Sequence, residues 1–393
     1  MKHFTFIPSL STAVIFKSFQ EDFKIGGKTI KFWDKNIGKD LYHPAFLITA
    51  GNHYKNINAA EDVGLDVSNK ELMIMADSGG HQIATGAMKY NKENVHKIFN
   101  WLEHNSNVAI NLDIPPRSKI YSYEESKRYS NDNFKYFYEH QTGKTDFLSV
   151  FQGRNKEEML DWYKMSSQYD FSGWAAAIGG NINQTILGIA VLLDKKEHLK
   201  KHNKYIHILG VSRIDSMLVL EYIQKLMHEI NPNIKIMTDS SSPSRASMFG
   251  NIFTGINWDK MSYQSVNISN RNKYNLDTSI IRASAYDDFL FKHMKSEEIY
   301  NWTAYGYTGA TLHNLYLMLD GIKKIQSIVY TDAPILKQVL PKNMYLVFKS
   351  LDEMFASDTP LKVYDKYVNL YNKFKKIDNA PQSNTAITDL FEF

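Results

Sequence analysis

Residues 72–77 (LMIMAD) and 108–113 (VAINLD) are short apolar runs that each stop on an aspartate, and their ends lie 113 − 77 = 36 residues apart. A brief apolar run closed by a polar residue is the pattern of a strand buried on both faces. Similar apolar runs, stopping at a polar or glycine residue, recur on either side, at 45–50 (AFLITA), 147–152 (FLSVFQ), 174–179 (WAAAIG), 205–210 (YIHILG) and 234–239 (IKIMTD), which makes seven candidate strands. Beyond Asp113 the successive ends are spaced 152 − 113 = 39, 179 − 152 = 27, 210 − 179 = 31 and 239 − 210 = 29 residues, each enough for one strand and one helix. The intervening segments 92–104, 123–140, 156–169, 183–196 and 214–230 read as amphipathic helices. Apolar strands alternating with helices imply an α/β chain with a parallel sheet covered on both faces, and so many units in a row favour a (β/α)8 TIM barrel over an open doubly wound sheet. No GxGxxG follows the first strand, which weighs against dinucleotide binding.

After Asp239 the rhythm breaks and leaves the eighth strand unassigned. Residues 251–270 read as a β-hairpin region, 300–307 are aromatic and punctuated by glycine, 312–326 are helical, and 339–377 carry further helical periodicity before a polar end. The expected organisation is therefore a barrel over 1–335 with an insertion at about 255–310, followed by a C-terminal helical extension over 336–393.

The chain has 393 residues, 46 Lys and Arg against 42 Asp and Glu, and no cysteine. The last count excludes a disulfide framework, a cysteine-ligated metal site and a thiol nucleophile. Residues 186–193 form the longest uncharged apolar run, far below the ~18 residues of a membrane helix. The first sixteen residues are interrupted by Pro8, Ser9, Ser11 and Thr12 and make a poor signal peptide, so a cytoplasmic location is expected. A pI near 8.7 permits nucleic-acid binding without implying it.

Residues at the C-terminal ends of barrel strands converge on one mouth. Here they are Asp77, Asp113, Gln152, Gly179, Gly180 and Asp239. A single strand-end aspartate is most often a helix cap, but three in one mouth repel one another unless chemistry or a substrate uses them. Paired carboxylates suit substitution at a sugar carbon, one attacking or stabilising the oxocarbenium-like centre while another manages the leaving group's proton. Metal-assisted hydrolysis would want histidines at the strand ends in HxH or HExxH spacing, and a serine triad would want a GxSxG elbow; neither occurs.

Taken in order, these segments resemble the queuine and archaeosine tRNA-guanine transglycosylases. Asp77-Ser-Gly-Gly-His-Gln82 resembles their DSGG(F/Y)Q motif, Leu112-Asp113 their FDE segment, Phe151-Gln152-Gly153 their VQG, Ile178-Gly179-Gly180 their GG loop and Ile208-Leu209-Gly210-Val211 their LMGVG. Asp239-Ser-Ser-Ser-Pro-Ser-Arg245 resembles DxxxP(S/T)R, Gly250 to Thr254 follows at the family's spacing, and His313-Asn314 extends the likeness. The resemblance implies Asp239 as the nucleophile that attacks C1′ of a guanosine and Asp77 as the general acid and base. It implies base contacts from Ser78, His81, Asp113, Gln152, Gly179, Gly180 and Leu209, with Asp113 reading the amide and amino edge of the purine. Arg245 would hold a backbone phosphate, with Arg117, Lys119, Arg154 and Arg213 along the rim. No cofactor is required for such chemistry.

The chain departs from the family in ways that bear on substrate. His81 stands where Phe or Tyr stacks on the base, and Leu209 replaces a Met. All three cysteines of the family's structural zinc site are absent although His313 keeps the position of its histidine; Asp287, Asp288, His293 and His313 are the candidates for a substitute set, against which a buried or capping histidine is the favoured reading of His313. Because the zinc region and an added module serve tRNA recognition in the family, the chain is most similar to the phage-type DNA-guanine transglycosylases of the DpdA kind, which place a 7-deazaguanine such as preQ0 into DNA. The expected partners are DNA, with tRNA as the alternative, and the free base as second substrate; no membrane is involved, and a homodimer is compatible. Competing readings are a non-catalytic nucleic-acid-binding paralogue, which loss of either Asp77 or Asp239 would have signalled, and an unrelated barrel hydrolase. The lysine-rich run 195–204 precedes a strand and is expected at the barrel's far end, whereas the aromatics of 300–307 are candidates for stacking on bases.

Overall fold

The computed structural model describes residues 2–38, 41–116, 118, 120–177, 181–268 and 303–374. Eight parallel strands form its central sheet: β1 (Thr5–Pro8), β2 (Ala45–Thr49), β3 (Met73–Asp77), β4 (Val108–Ile110), β5 (Asp146–Phe151), β6 (Gly173–Ala176), β7 (Tyr205–Ile208) and β8 (Lys235–Ser240). Each pairs with its sequence neighbours, β8 pairs with β1, and a parallel bridge between Ser9 and Leu47 joins β1 to β2. The sheet thus closes into the (β/α)8 barrel that the alternating pattern implies, with helices between the strands.

The strand left unassigned in the sequence is the first one. Its four residues, TFIP, are too few to show a period, and Pro8 argues against a ladder. Proline is tolerated because it ends the strand: Ile7 lies beside Asp239 in the register, and Ser9 resumes the ladder by donating its N–H to Ser240 O at 3.0 Å. Phe4, Phe6 and Ile7 are buried, so the segment belongs to the core. Asp239 accordingly lies near the end of the eighth strand rather than of the seventh.

The helices 123–140 and 214–230 match their expected bounds, while the 156–169 expectation ends early at Ser166. After β8 come a short helix (Ser242–Met248), a hairpin of β9 (Asn251–Asn257) and β10 (Ser262–Asn267), and a long helix (Ala304–Val329) in contact with both the Ala13–Gln20 and Ile214–Ile230 helices. That is the position of the barrel's eighth helix. Asn314 ties these parts together: Oδ1 accepts from Phe253 N at 2.8 Å, and Nδ2 donates to Ser247 Oγ at 2.9 Å and Asn251 O at 3.0 Å. The helices Lys342–Phe355 and Pro360–Tyr371 pack outside the barrel, where Phe348 stacks on Tyr222 at 3.9 Å and Tyr364 Oη donates to Asn183 Oδ1 at 2.5 Å. Among the described residues no helix is long and apolar enough to cross a membrane.

β1 is held from below by Glu221, a buried carboxylate on the Ile214–Ile230 helix, which accepts from Phe4 N at 3.1 Å and meets His3 Nδ1 at 2.5 Å. Removing the carboxylate orphans a buried N–H at the strand that closes the barrel. Glu221→Ala is expected to lower the unfolding free energy by about 2–4 kcal/mol, readable as a drop in the denaturation midpoint; an unchanged midpoint would mean that β1 is secured without it.

Candidate active site

The three strand-end aspartates reach the mouth in different settings. Asp77 closes β3 beside Thr49, the last residue of β2, whose hydroxyl donates to Asp77 Oδ2 at 3.2 Å and accepts from Gly51 N at 3.2 Å. The two glycines that follow are required by the room available. A Cβ on Gly79, which has φ +82°, would lie 2.6 Å from Gly51 Cα, and one on Gly80 would lie 1.9 Å from Asp113 O. The turn after β3 therefore packs directly onto the ends of β2 and β4, and the backbone of Gly79 hydrogen-bonds Asp77.

Asp113 follows β4 and is buried against Gln152 after β5, whose amide Nε2 points at Asp113 Oδ2. Burial, then the charge of Asp77, pushes the Asp113 carboxyl up to about 8. Asp77 is likewise raised, first by burial and then by the charge of Asp239, against the lowering effects of Thr49, Gly79 and His207. The electrostatic coupling runs from Asp239 through Asp77 to Asp113.

Asp239 has the best-defined surroundings. Its Oδ1 lies 3.0 Å from Gly210 N and 3.1 Å from His207 Nε2. His207, on β7, is fully buried, and the register sets it beside Met237, two residues before Asp239. Neither His207 nor Thr49 is among the residues expected from the sequence. The available signal was a polar residue inside an otherwise apolar strand, the His of YIHIL, which pattern reading absorbs into the strand.

The other expected residues divide. Leu209 is half-buried between His207 and Gly210, and His81 is exposed on the helix Gly80–Thr85. Ser78 is buried and donates its hydroxyl to Asn111 O at 3.1 Å, a role in holding the turn to β4. Gly179, Gly180, Arg117 and Lys119 lie outside the described residues. Arg154 and Arg213 are paired within the chain, Arg154 with Glu158 at 2.8 and 2.9 Å and Arg213 with Asp215 at 2.9 Å. Arg245 is exposed on the helix Ser242–Met248 and makes no ion pair among the described residues. Tyr305 and Tyr307, from the aromatic stretch, serve packing: Tyr305 lies 5.2 Å from the Phe23 ring, and Tyr307 Oη donates to Ser244 O at 3.2 Å. The lysine-rich run enters β7 from the end opposite the mouth, as expected, and Lys200 and Lys204 pair with Glu197 and Asp146, each at 2.8 Å.

His313 is buried with Nε2 2.9 Å from Phe253 O, and burial holds its imidazole down at about 4. Among the described residues no three His, Asp or Glu side chains are grouped to hold a metal ion, and Asp287, Asp288 and His293 fall outside them. Comparison with protein-family models and with curated proteins finds no match for this chain.

The raised Asp113 carboxyl has a measurable consequence. Its pKa is about 8 in the fold against a reference of 3.8, so the fold favours the protonated form. That contribution is complete below about pH 4 and is lost as pH rises through about 8. Asp113→Asn stays neutral throughout, so its melting temperature should climb relative to wild type between those values, by several degrees at the upper end. A gap that is constant with pH would show that the carboxyl ionises as in the unfolded chain.

Proposed function

We propose that the chain is a guanine transglycosylase that exchanges guanine in DNA for a 7-deazaguanine of the preQ0 type through a covalent glycosyl-enzyme intermediate. The observation that carries the reading is the pairing of unlike carboxyls in one barrel mouth. Asp239 is fixed by two hydrogen-bond contacts, and Asp77, raised by burial and by the charge of Asp239, holds its proton longer than an ordinary carboxyl. A carboxylate lone pair of Asp239 forms the bond to C1′, the C1′–N9 bond breaks with its electrons going to the base, and Asp77 supplies the proton that neutralises the departing guanine. The incoming base reverses these steps, returning its N9 proton to Asp77 and its electron pair to C1′. One pocket serves both bases because guanine and 7-deazaguanines share the N1–H and 2-amino donor edge. Asp113, once ionised, is the acceptor for that edge, which requires it to turn from Gln152 to the base. Such exchange outruns hydrolysis only where water is excluded while the intermediate waits.

DNA is preferred to tRNA because the chain lacks the cysteine ligands of the zinc region that serves tRNA recognition in the resembled family. A guanine in a duplex must leave the stack before Asp239 can reach C1′, at a cost of a few kcal/mol. Phosphate contacts offset that cost, or single strands are favoured.

Incubation with labelled guanine or preQ0 and either DNA or unmodified tRNA decides the substrate. Label is expected in DNA; incorporation into tRNA alone would make this a tRNA enzyme, release of guanine without incorporation a hydrolase, and neither a binding paralogue. Asp239→Asn should lower exchange by about 10³-fold or more, since the nucleophile is lost, and an active variant would show it misassigned.

Arg245 provides a separate test of the nucleic-acid face. Arg245→Ala should raise KM for the polynucleotide and reduce the slope of log K against log salt by about 0.7–0.9, the share of one phosphate contact, with kcat preserved. An unchanged slope would remove Arg245 from the interface.

A further inference from the structure

We propose that His207 is the positioning residue for Asp239, bound to it as a neutral imidazole protonated at Nε2, and that by engaging Oδ1 together with Gly210 it leaves Oδ2 as the oxygen that attacks C1′. The inference rests on the reading of Asp239 as nucleophile and goes beyond it in naming the attacking atom and what aims it.

The geometry is specific. Two groups converge on one carboxylate oxygen, Gly210 N at 3.0 Å and His207 Nε2 at 3.1 Å, and both contacts are to Oδ1. An ionised carboxylate can only accept, so the imidazole must donate and Nε2 must carry the proton. The other ring nitrogen decides the charge. His207 Nδ1 is buried and has no hydrogen-bond partner among the described residues. A doubly protonated ring would leave an N–H unsatisfied there, whereas the neutral Nε2–H tautomer leaves only a bare acceptor, the cheaper of the two burials. The strand supplies the precision, because a fully buried side chain within β7 has little room to change rotamer.

With Oδ1 engaged twice, Oδ2 is the oxygen that accepts no hydrogen bond among the described residues. It forms the bond to C1′ as the C1′–N9 pair moves to the base. When the incoming base displaces the ester, the C1′–Oδ2 pair returns to the carboxylate, where the same two donors stabilise the regained charge. His207 touches neither substrate nor base in this scheme and works through Asp239.

The test uses the full-length protein, a guanine-containing DNA oligonucleotide and labelled guanine in self-exchange. His207→Leu is expected to lower kcat by about 10- to 100-fold, the worth of one hydrogen bond to a charged group, with KM for the oligonucleotide within twofold. His207→Gln places an amide N–H near the original Nε2 and should recover most of the loss. His207→Asn carries the same chemistry on a shorter reach and should not. A packing role alone predicts no such difference between the two amides, so equal activities of these variants would overturn the proposal, as would a His207→Leu enzyme as fast as wild type. On the wild-type protein, ¹⁵N spectra should show His207 protonated at Nε2 only, with that resonance shifted in Asp239→Asn; a proton on Nδ1 alone would refute the tautomer. A wild type without exchange would bring down the functional reading and this inference with it, whereas exchange that is insensitive to His207 would remove this inference alone.

Discussion

Like-charge repulsion at the barrel mouth is the constraint to which the other features of the site answer. Asp77, Asp113 and Asp239 share one opening, and three ionised carboxylates there would cost more than most folds tolerate. The fold meets this by making the three unlike. Asp239 is given hydrogen-bond contacts at one oxygen, Asp113 is buried until it prefers its proton, and Asp77 lies between them, raised by burial and then by the charge of Asp239 yet held by Thr49 and Gly79. Pushing titratable groups apart in this way is also what assigns acid and nucleophile in carboxylate chemistry. Stability and the proposed reaction therefore ask for the same arrangement.

That arrangement depends on backbone placed to within fractions of an ångström. Gly80 lies so close to Asp113 O that any side chain would collide with it, and Gly79 presses on Gly51. The SGG that follows Asp77 thus closes the gap between β2, β3 and β4, and Ser78 adds a bond to Asn111 O. On the opposite wall the register of β7 and β8 sets His207 within reach of Asp239, and β1 closes the sheet beside them under the hold of Glu221. Asn314 then fixes the hairpin to the short helix that carries Arg245.

Seven of the eight strands were legible in the chain because strands buried on both faces leave continuous apolar runs, and a polar or glycine stop marks each mouth end. β1 was not, since four residues ending in proline show neither a period nor a length, and closure is a property of the whole sheet. The carboxylates were legible for the same reason as the strands. His207 was hidden because its identity matters only through a neighbour 32 residues away, Asp239, and no spacing rule joins them. On the expected cationic rim, Arg154 and Arg213 follow strands, and each also has a carboxylate close in sequence with which it pairs. Position relative to a strand end foretells where a side chain emerges, whereas its availability depends on partners that folding brings in.

The absence of cysteine can be weighed in the same terms. A zinc site stabilises a small, loop-rich region that cannot bury enough surface of its own. In this chain the hairpin and the long helix are joined directly: β9 and β10 pair with each other, Phe253 stacks on Tyr263 at 4.7 Å, and the buried His313 and Asn314 bond the backbone of β9 from the long helix. A histidine held down at about 4 and bonded to a carbonyl acts here as a helix-to-hairpin clasp.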